Sequence, residues 1–422
     1  MLKRIISFIL ALCITMSFFA VSAFAADSKK GNDYPVIFVH GLNGWGDDVM
    51  INDILPYWGA TTGDITDYLA GQGVESYSVS VGAFSSAWDR ACEVYAQLTG
   101  TTVDYGEAHS EEHSHSRYGR TYDTPIVPDW GETDESGNVQ KIHLVGHSFG
   151  GETVRLLTYL LSNGSAAEIA ASGDSVSPLF TGSKSDLVAS VTTIASPHNS
   201  STLYYTMQKF FILDLYLAVV SSISAVTGNT PLVKVFDPHL EQFGISNPDG
   251  LLGSVSQILN GINTFVSGTD NAVYDLTPEG SCKLNSLIGL EDNIYYFSYA
   301  CSTTDEKQAG DVSVELPKAQ TNPILLLSSV VISLTSRFIK DEQLGIEYDD
   351  SWDSNDGLAN TVSELHPNSD EWVEFDEDNI QPGVWNVMPV FGGDHGTVIG
   401  LMADEKETQD FYMNLVNMLY SL

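Results

Sequence analysis

The sequence predicts an α/β protein, a mostly parallel sheet flanked by helices, on three observations. Short β-rich runs recur at Val36 to Val39, Tyr77 to Val81, Ile142 to Val145, Val191 to Ile194 and Ile294 to Tyr299. Longer segments of helical spacing separate them, and strands that alternate with helices favour parallel pairing. One of the strands runs directly into a Gly-x-Ser-x-Gly turn and then into a helix-forming stretch.

The chain opens with MLKRIISFILALCITMSFFAVSAFA, in which Lys3 and Arg4 precede an apolar stretch that ends in Ala23-Phe24-Ala25. This is the layout of an export signal over residues 1–25, and the apolar stretch is shorter than the roughly 20 residues that a bilayer span needs. Leu12 is too large for the position before a lipid-modified cysteine at Cys13. A secreted, extracellular protein with no transmembrane span in its mature form is therefore expected, its single functional domain occupying 26–422.

The formal net charge is −37, from 18 basic and 55 acidic residues, and loss of Lys3 and Arg4 makes it more negative still. Such a surface repels nucleic acid and anionic lipid headgroups, so a neutral substrate is expected. Without Cys13 the cysteines are Cys92, Cys282 and Cys301, an odd number that builds no disulfide framework. A Cys282–Cys301 bridge and three free buried thiols both fit.

One helix is expected from Trp88 to Leu98, where Ala91, Val94, Tyr95 and Leu98 share a face. Another follows Ser148 through Val154, Leu157 and Leu161. The polar, Gly-containing segment from Gly131 to Val139 reads as a surface loop. Tyr204 to Val226 and Pro323 to Ile339 are apolar without a clear polar face and read first as buried core helices. Asp214 interrupts the first and the second is too short to span a bilayer. The first, within a region of about 201–250, fits equally well as a lid over a reactive site.

The chemistry concentrates in Lys141-Ile-His-Leu-Val-Gly146-His147-Ser148-Phe149-Gly150-Gly151. A strand, a Ser flanked by glycines and a helix make a nucleophile elbow, the mark of an α/β-hydrolase fold. Side chains at Gly146 or Gly150 would collide with neighbouring elements, while the turn pushes Ser148 outward. A serine hydroxyl needs a base to take its proton and a carboxylate to orient that base. In this fold the order is Ser, acid, His, which leaves His198, His239, His366 and His395 to consider. His198 and His239 precede the acids, and His366 sits before Pro367 in an ordinary turn. His395, in Gly392-Gly393-Asp394-His395-Gly396, is the expected base, and Asp356 in Ser354-Asn355-Asp356-Gly357 the expected acid. Asp349, Asp350 and Asp353 are close rivals on spacing alone. The turn His40-Gly41-Leu42 after the first strand supplies half of an oxyanion hole, the amides of Leu42 and Phe149 being the expected donors. A hydrolase-like protein that binds without catalysing would be expected to lack the serine or the histidine, and both are present. The histidines of Ala108-His109-Ser110-Glu111-Glu112-His113-Ser114-His115 suit a metal or a solvated loop.

Four segments carry a family likeness: Tyr34-Pro-Val-Ile-Phe-Val-His-Gly-Leu-Asn-Gly-Trp-Gly46, Ser86-Ala-Trp-Asp-Arg-Ala-Cys-Glu-Val-Tyr-Ala-Gln-Leu98, Val191-Thr-Thr-Ile-Ala-Ser-Pro-His198 and Asn355-Asp-Gly357. Together they resemble the bacillar and staphylococcal secreted lipases, from about Asp33 to the C-terminal helix. The resemblance implies Ser148, Asp356 and His395 as a triad, Leu42 and Phe149 as oxyanion donors, and a triacylglycerol lipase acting on neutral esters at a lipid or polymer interface. A carboxylesterase or polyester hydrolase with an open cleft is the alternative. The resemblance further implies a structural zinc on Asp89, His109, His115 and Asp270, within an insertion of about 86–125 and its surroundings, with His113 outside the ligand set. At the positions where the family carries calcium-binding carboxylates this chain has Thr397 and Met402, poor calcium ligands, so calcium dependence is not expected.

Overall fold

A computed structural model describes residues 31–206, 237–245, 255–309 and 312–422. The expected signal over 1–25 and most of the expected lid, 207–236 and 246–250, lie outside the described residues.

Seven strands form the central sheet: β1 (Val36–Val39), β2 (Ser76–Val79), β3 (Ile142–His147), β4 (Val188–Ile194), β5 (Tyr295–Tyr299), β6 (Trp372–Glu374) and β7 (Trp385–Val387). Their order is β6-β7-β5-β4-β3-β1-β2, and every adjacent pair is parallel. A parallel sheet must be covered on both faces, since its crossover connections lie there. β1 shows how the sequence meets that demand. Val36 and Phe38 pack on one side with Trp58, Ile65, Leu69, Tyr412 and Leu419, while Ile37 and Val39 pack on the other with Ala91, Val94, Leu98, Val154 and Leu157. Alternate side chains of a strand point to opposite faces, so a strand apolar at every position belongs between two helical layers.

The first layer holds α1 (Ile65–Gly71) and the C-terminal α7 (Glu405–Tyr420); the second holds α2 (Ala87–Thr99) and α4 (Gly150–Asn163). Ser86 caps α2 by accepting from the Asp89 amide at 3.2 Å, a contact of about 1 kcal/mol. Of the expected face, Ala91, Val94 and Leu98 have no exposure and Tyr95 is half-buried, while most of the rest of the helix, Arg90 and Glu93 included, is buried as well. Val94 and Leu98 each contribute about 1.5–3 kcal/mol of burial free energy, and Ala91 with its single methyl less. Between these helices lies a short excursion, a two-stranded ribbon of Thr102–Asp104 and Tyr118–Thr121 enclosing α3 (Glu107–His113). Gly131 to Val139 is the exposed loop its composition suggests.

One expectation is corrected and one open alternative is decided. The stretch from Pro323 to Ile339 contains α5 (Leu326–Thr335), but this is not a buried core helix. Only Ser329, Ile332 and Ser333 of α5 are buried, whereas Ile324 is 82% exposed and Leu327 73%. The helix packs against the Val312–Pro317 strand of the hairpin that pairs Thr304–Ala309 with Val312–Pro317. The cysteines are the second case: Cys92, Cys282 and Cys301 are free, and Cys282 is exposed, so no bridge joins Cys282 to Cys301. The short helix α6 (Thr361–Leu365) follows the loop that bears Asp356.

Candidate active site

Ser148 follows the end of β3, where the chain turns into α4, and holds φ at +54°. That left-handed backbone is costly for a serine and marks a strained elbow. The glycines explain how it fits: a Cβ on Gly146 would come 2.3 Å from the Gly150 carbonyl oxygen, and one on Gly150 would come 2.1 Å from the Val39 carbonyl oxygen. On the facing turn, a Cβ on Gly41 would come 2.6 Å from the Ser148 Cβ, so the His40-Gly41-Leu42 turn lies hard against the serine.

Arg90 of α2 holds that turn in place. Fully buried, its guanidinium donates to the carbonyl oxygens of His40 and Gly41 and to that of Gly82 at 3.0 Å, and its Nε donates to Thr153 at 2.9 Å. Tyr57 closes a second link: its hydroxyl accepts from the Gly41 amide at 2.8 Å and donates to His147 Nδ1 at 2.7 Å. His147 Nε2 donates in turn to the His395 carbonyl at 3.0 Å. Burial drives the His147 pKa well below its ordinary value, which keeps the ring neutral and fixes this relay of single donors and acceptors.

The loop after β7 carries His395, and its Nδ1 meets Asp356 Oδ2 at 2.5 Å. Asp356 Oδ1 also accepts the amides of Leu358 at 2.8 Å and Ala359 at 2.7 Å. Burial opposes the charge of Asp356, yet His395 and these amides hold its pKa below the usual carboxylate range. Burial likewise opposes protonation of His395, but the Asp356 carboxylate outweighs it and raises the imidazole above 6.5. Ser148 and His395 line one cavity of about 300 Å³, and Leu42, Val273, Leu276, Ile324, Leu325 and Ile399 give it apolar walls. The site can therefore combine a strained hydroxyl, an imidazole oriented by a carboxylate, and an apolar slot for an acyl chain.

The rivals are placed elsewhere. Asp353 pairs with Arg337, Asp349 caps a turn through Ser351, and His366 stacks on Trp372 at 5.0 Å. His198 is buried beside Arg155, and His239 faces Arg120. Phe149 is buried immediately after the serine, and Leu42 lines the cavity beside it. Tyr57 and Arg90 were not expected as site residues. Arg90 lies in the Ser86 to Leu98 segment that carries the family likeness, whereas no motif surrounds Tyr57.

Asp89, His109, His115 and Asp270 come together from α2, α3, the turn after it and a distant loop, their ligand atoms all within 4.8 Å of one another. His109 Nε2 lies 3.2 Å from Asp89 Oδ1 and 3.3 Å from Asp270 Oδ1, and His115 Nε2 lies 3.2 Å from Asp270 Oδ2. A tetrahedral ion with bonds of about 2.0–2.1 Å sets its ligands about 3.3 Å apart, so the spacing fits a metal. His115 Nε2 and both Asp270 oxygens are buried without hydrogen-bond partners, an arrangement that costs several kcal/mol unless a cation satisfies them. The outer contacts suit ligation too: His115 Nδ1 donates to the Ser116 carbonyl at 2.9 Å, leaving Nε2 as a lone pair, and Gln242 donates to Asp89 at 2.7 Å. His113 lies outside this set; half-buried, its ring packs 4.6 Å from that of His109. Thr397 opens a short turn and Met402 is exposed, while both oxygens of the nearby Asp394 already accept backbone amides.

A family model described as lipase-like, C-terminal domain matches residues 32–421. The chain belongs to that family. Lipase 2 of Staphylococcus aureus is 35% identical over 93% of this chain and 56% of its own, and the lipase of Staphylococcus epidermidis is 34% identical over 90% and 52%. The chain thus spans about half the length of the curated relatives it matches. Among solved structures, the Staphylococcus hyicus lipase is 31% identical with a TM-score of 0.78, covering 94% of this chain and 97% of that one. EstA from Clostridium botulinum is 33% identical with a TM-score of 0.79 over 94% and 90% of the two chains. Lipase 1 from Pelosinus fermentans is 37% identical with a TM-score of 0.75 over 93% and 99%. The α/β-hydrolase architecture of this family member follows from these structures and from its seven-stranded sheet.

Proposed function

We propose that this lipase-family protein is a secreted serine hydrolase of neutral carboxylic esters, with triacylglycerols as its substrate class. The observation that carries the reading is the placement of a strained Ser148 and an Asp356-bound His395 on one apolar cavity. His395 removes the hydroxyl proton as Ser148 Oγ attacks the ester carbonyl; Asp356 keeps the imidazole in its productive tautomer and steadies its cation. The Leu42 and Phe149 amides hold the oxyanion, the alcohol leaves with a proton from His395, and water deacylates the enzyme by the same route. A p-nitrophenyl alkylphosphonate tests the reading: Ser148 Oγ displaces p-nitrophenolate from phosphorus, and mass spectrometry is expected to find one phosphonyl group, on Ser148. Labelling elsewhere would remove Ser148 from its assigned role.

The neutral imidazole is the base, so a raised His395 pKa places the acid limb of kcat/KM above the ordinary 6.5, with activity rising as pH climbs through it and lost below. A pH profile with its limb below 6.5 would contradict the Asp356–His395 coupling.

Asp89, His109, His115 and Asp270 would hold a zinc ion: two carboxylates balance its charge, two imidazoles complete four ligands, and no position is left for substrate. Its role is to tie α2 and α3 to the loop of Asp270. An open-cleft esterase or polyester hydrolase is the second reading, favoured by Ile324, which lines the cavity while standing 82% exposed. Relative rates on tributyrin, a long-chain triglyceride and a polyester film separate the two. No helix of the described residues is long and apolar enough to cross a membrane.

A further inference from the structure

We infer that Glu364 is a positioning residue for this site: held as a neutral carboxylic acid, its O–H donates to Asp356 and completes the hydrogen-bonding shell of that carboxylate. The inference rests on the roles proposed above for Asp356 and His395.

Glu364 projects from α6 and has no exposure. Its Oε2 accepts the Cys301 amide at 2.6 Å, while Oε1 is buried with no hydrogen-bond donor directed at it. One oxygen of Glu364, one of Asp356 and a ring nitrogen of His395 all lie within 4.8 Å of one another. Two carboxylates that share one water-excluded site resist ionising together, which favours a proton on one of them. The donor inventory says which. Asp356 receives three hydrogen bonds, from His395, Leu358 and Ala359, and Glu364 receives one. The charge therefore stays on Asp356 and the proton on Glu364. An ionised carboxylate offers about four acceptor sites, three of which are taken on Asp356, so the Glu364 hydroxyl fills the fourth. Burial first, and then the Asp356 charge, push the Glu364 pKa well above the carboxylate range, in the same direction.

The other groups around the pair do not alter this balance. Burial raises the Cys301 thiol well above its ordinary range, so it stays neutral, and both Asp394 oxygens are engaged by amides. The His147 ring, 4.8 Å from that of His395, is neutral, and burial pushes Glu152 up to about 7. A donor at the back of Asp356 draws charge from the oxygen that faces His395. It fixes the carboxylate plane and keeps the imidazole from becoming too basic to turn over.

Two variants and a spectroscopic measurement test this. In Glu364→Gln the amide N–H replaces the hydroxyl as donor and the amide oxygen still accepts from Cys301, so the pH profile of kcat/KM on p-nitrophenyl butyrate is expected to be retained. Glu364→Met removes the donor, and the acid limb is expected to move upward while kcat falls about tenfold with little change in KM. The infrared difference between wild type and Glu364→Gln at pH 8 is expected to contain the carbonyl stretch of a protonated carboxylic acid. Were Glu364 ionised instead, Glu364→Gln would delete a negative charge beside His395, shift the acid limb downward and remove no such band; either result overturns the inference. Should Glu364→Met not fold, the glutamine variant and the infrared band still decide. The band is independent of turnover, so an active Ser148→Ala enzyme would end the triad reading while leaving the protonation of Glu364 separately measurable.

Discussion

Replacing Ser148 by alanine is expected to lower kcat/KM on p-nitrophenyl butyrate by about 10⁴-fold or more, and Asp356→Asn by about 10⁴-fold. The two losses have different origins. Without the hydroxyl no acyl-enzyme forms, and only the polarised cavity remains. With asparagine at 356 the packing is nearly unchanged, but the amide N–H faces His395 Nδ1 across a contact of 2.5 Å and favours the wrong tautomer. Both variants are expected to keep the fold, because Ser148 holds a strained φ of +54° that contributes nothing to stability and Asp356→Asn conserves volume. Circular dichroism and thermal melts on the same samples check this. Full turnover by Ser148→Ala would refute the assignment of the nucleophile.

The second large effect concerns stability. Without the proposed ion, Asp89, His109, His115 and Asp270 are two carboxylates and two imidazoles facing one another, with Asp270 4% exposed and Asp89 fully buried. Ion binding at 1,000 times its Kd stabilises a fold by about 4 kcal/mol, which corresponds to a fall in Tm of roughly 5–10 °C on chelation for a chain of this size. His109→Ala is expected to produce the same fall without chelator and to lose its response to added chelator. Elemental analysis of the purified protein is expected to find one zinc per chain. Calcium added after chelation is not expected to restore the Tm, whereas zinc is. A Tm indifferent to both chelation and His109→Ala would show that the cluster holds no ion of structural consequence.

Much of the site was readable in the sequence because its chemistry is local. A Gly-x-Ser-x-Gly turn demands a strand before it and a helix after it, and β3 and α4 provide them. His395 was accessible through chain order and exclusion among the histidines after Ser148, whereas Asp356, 39 residues before it, stood among close rivals on spacing and was singled out by the likeness to known lipases. The metal cluster depended on the likeness to known lipases, because Asp89 and Asp270 stand 181 positions apart and only folding brings them together. What stayed hidden was carried by single residues without a pattern. Arg90, Tyr57 and Glu364 act through backbone amides, carbonyls and side chains whose neighbours are set by the sheet and loops, which no spacing along the chain encodes. The misreading of α5 has a related cause. Composition reports how apolar a helix is and says nothing of what covers it, and Ile324 and Leu327 stay largely exposed.

The central claim is that Ser148 and His395 act as one unit, and a double-mutant cycle on kcat/KM for p-nitrophenyl butyrate tests it most directly. Each of Ser148→Ala and His395→Ala is expected to cost about 10⁴-fold or more, and the double variant no more than either alone, because a base with no hydroxyl to deprotonate is as inert as a hydroxyl with no base. Losses that multiply in the double variant would mean two independent contributions and would contradict the account.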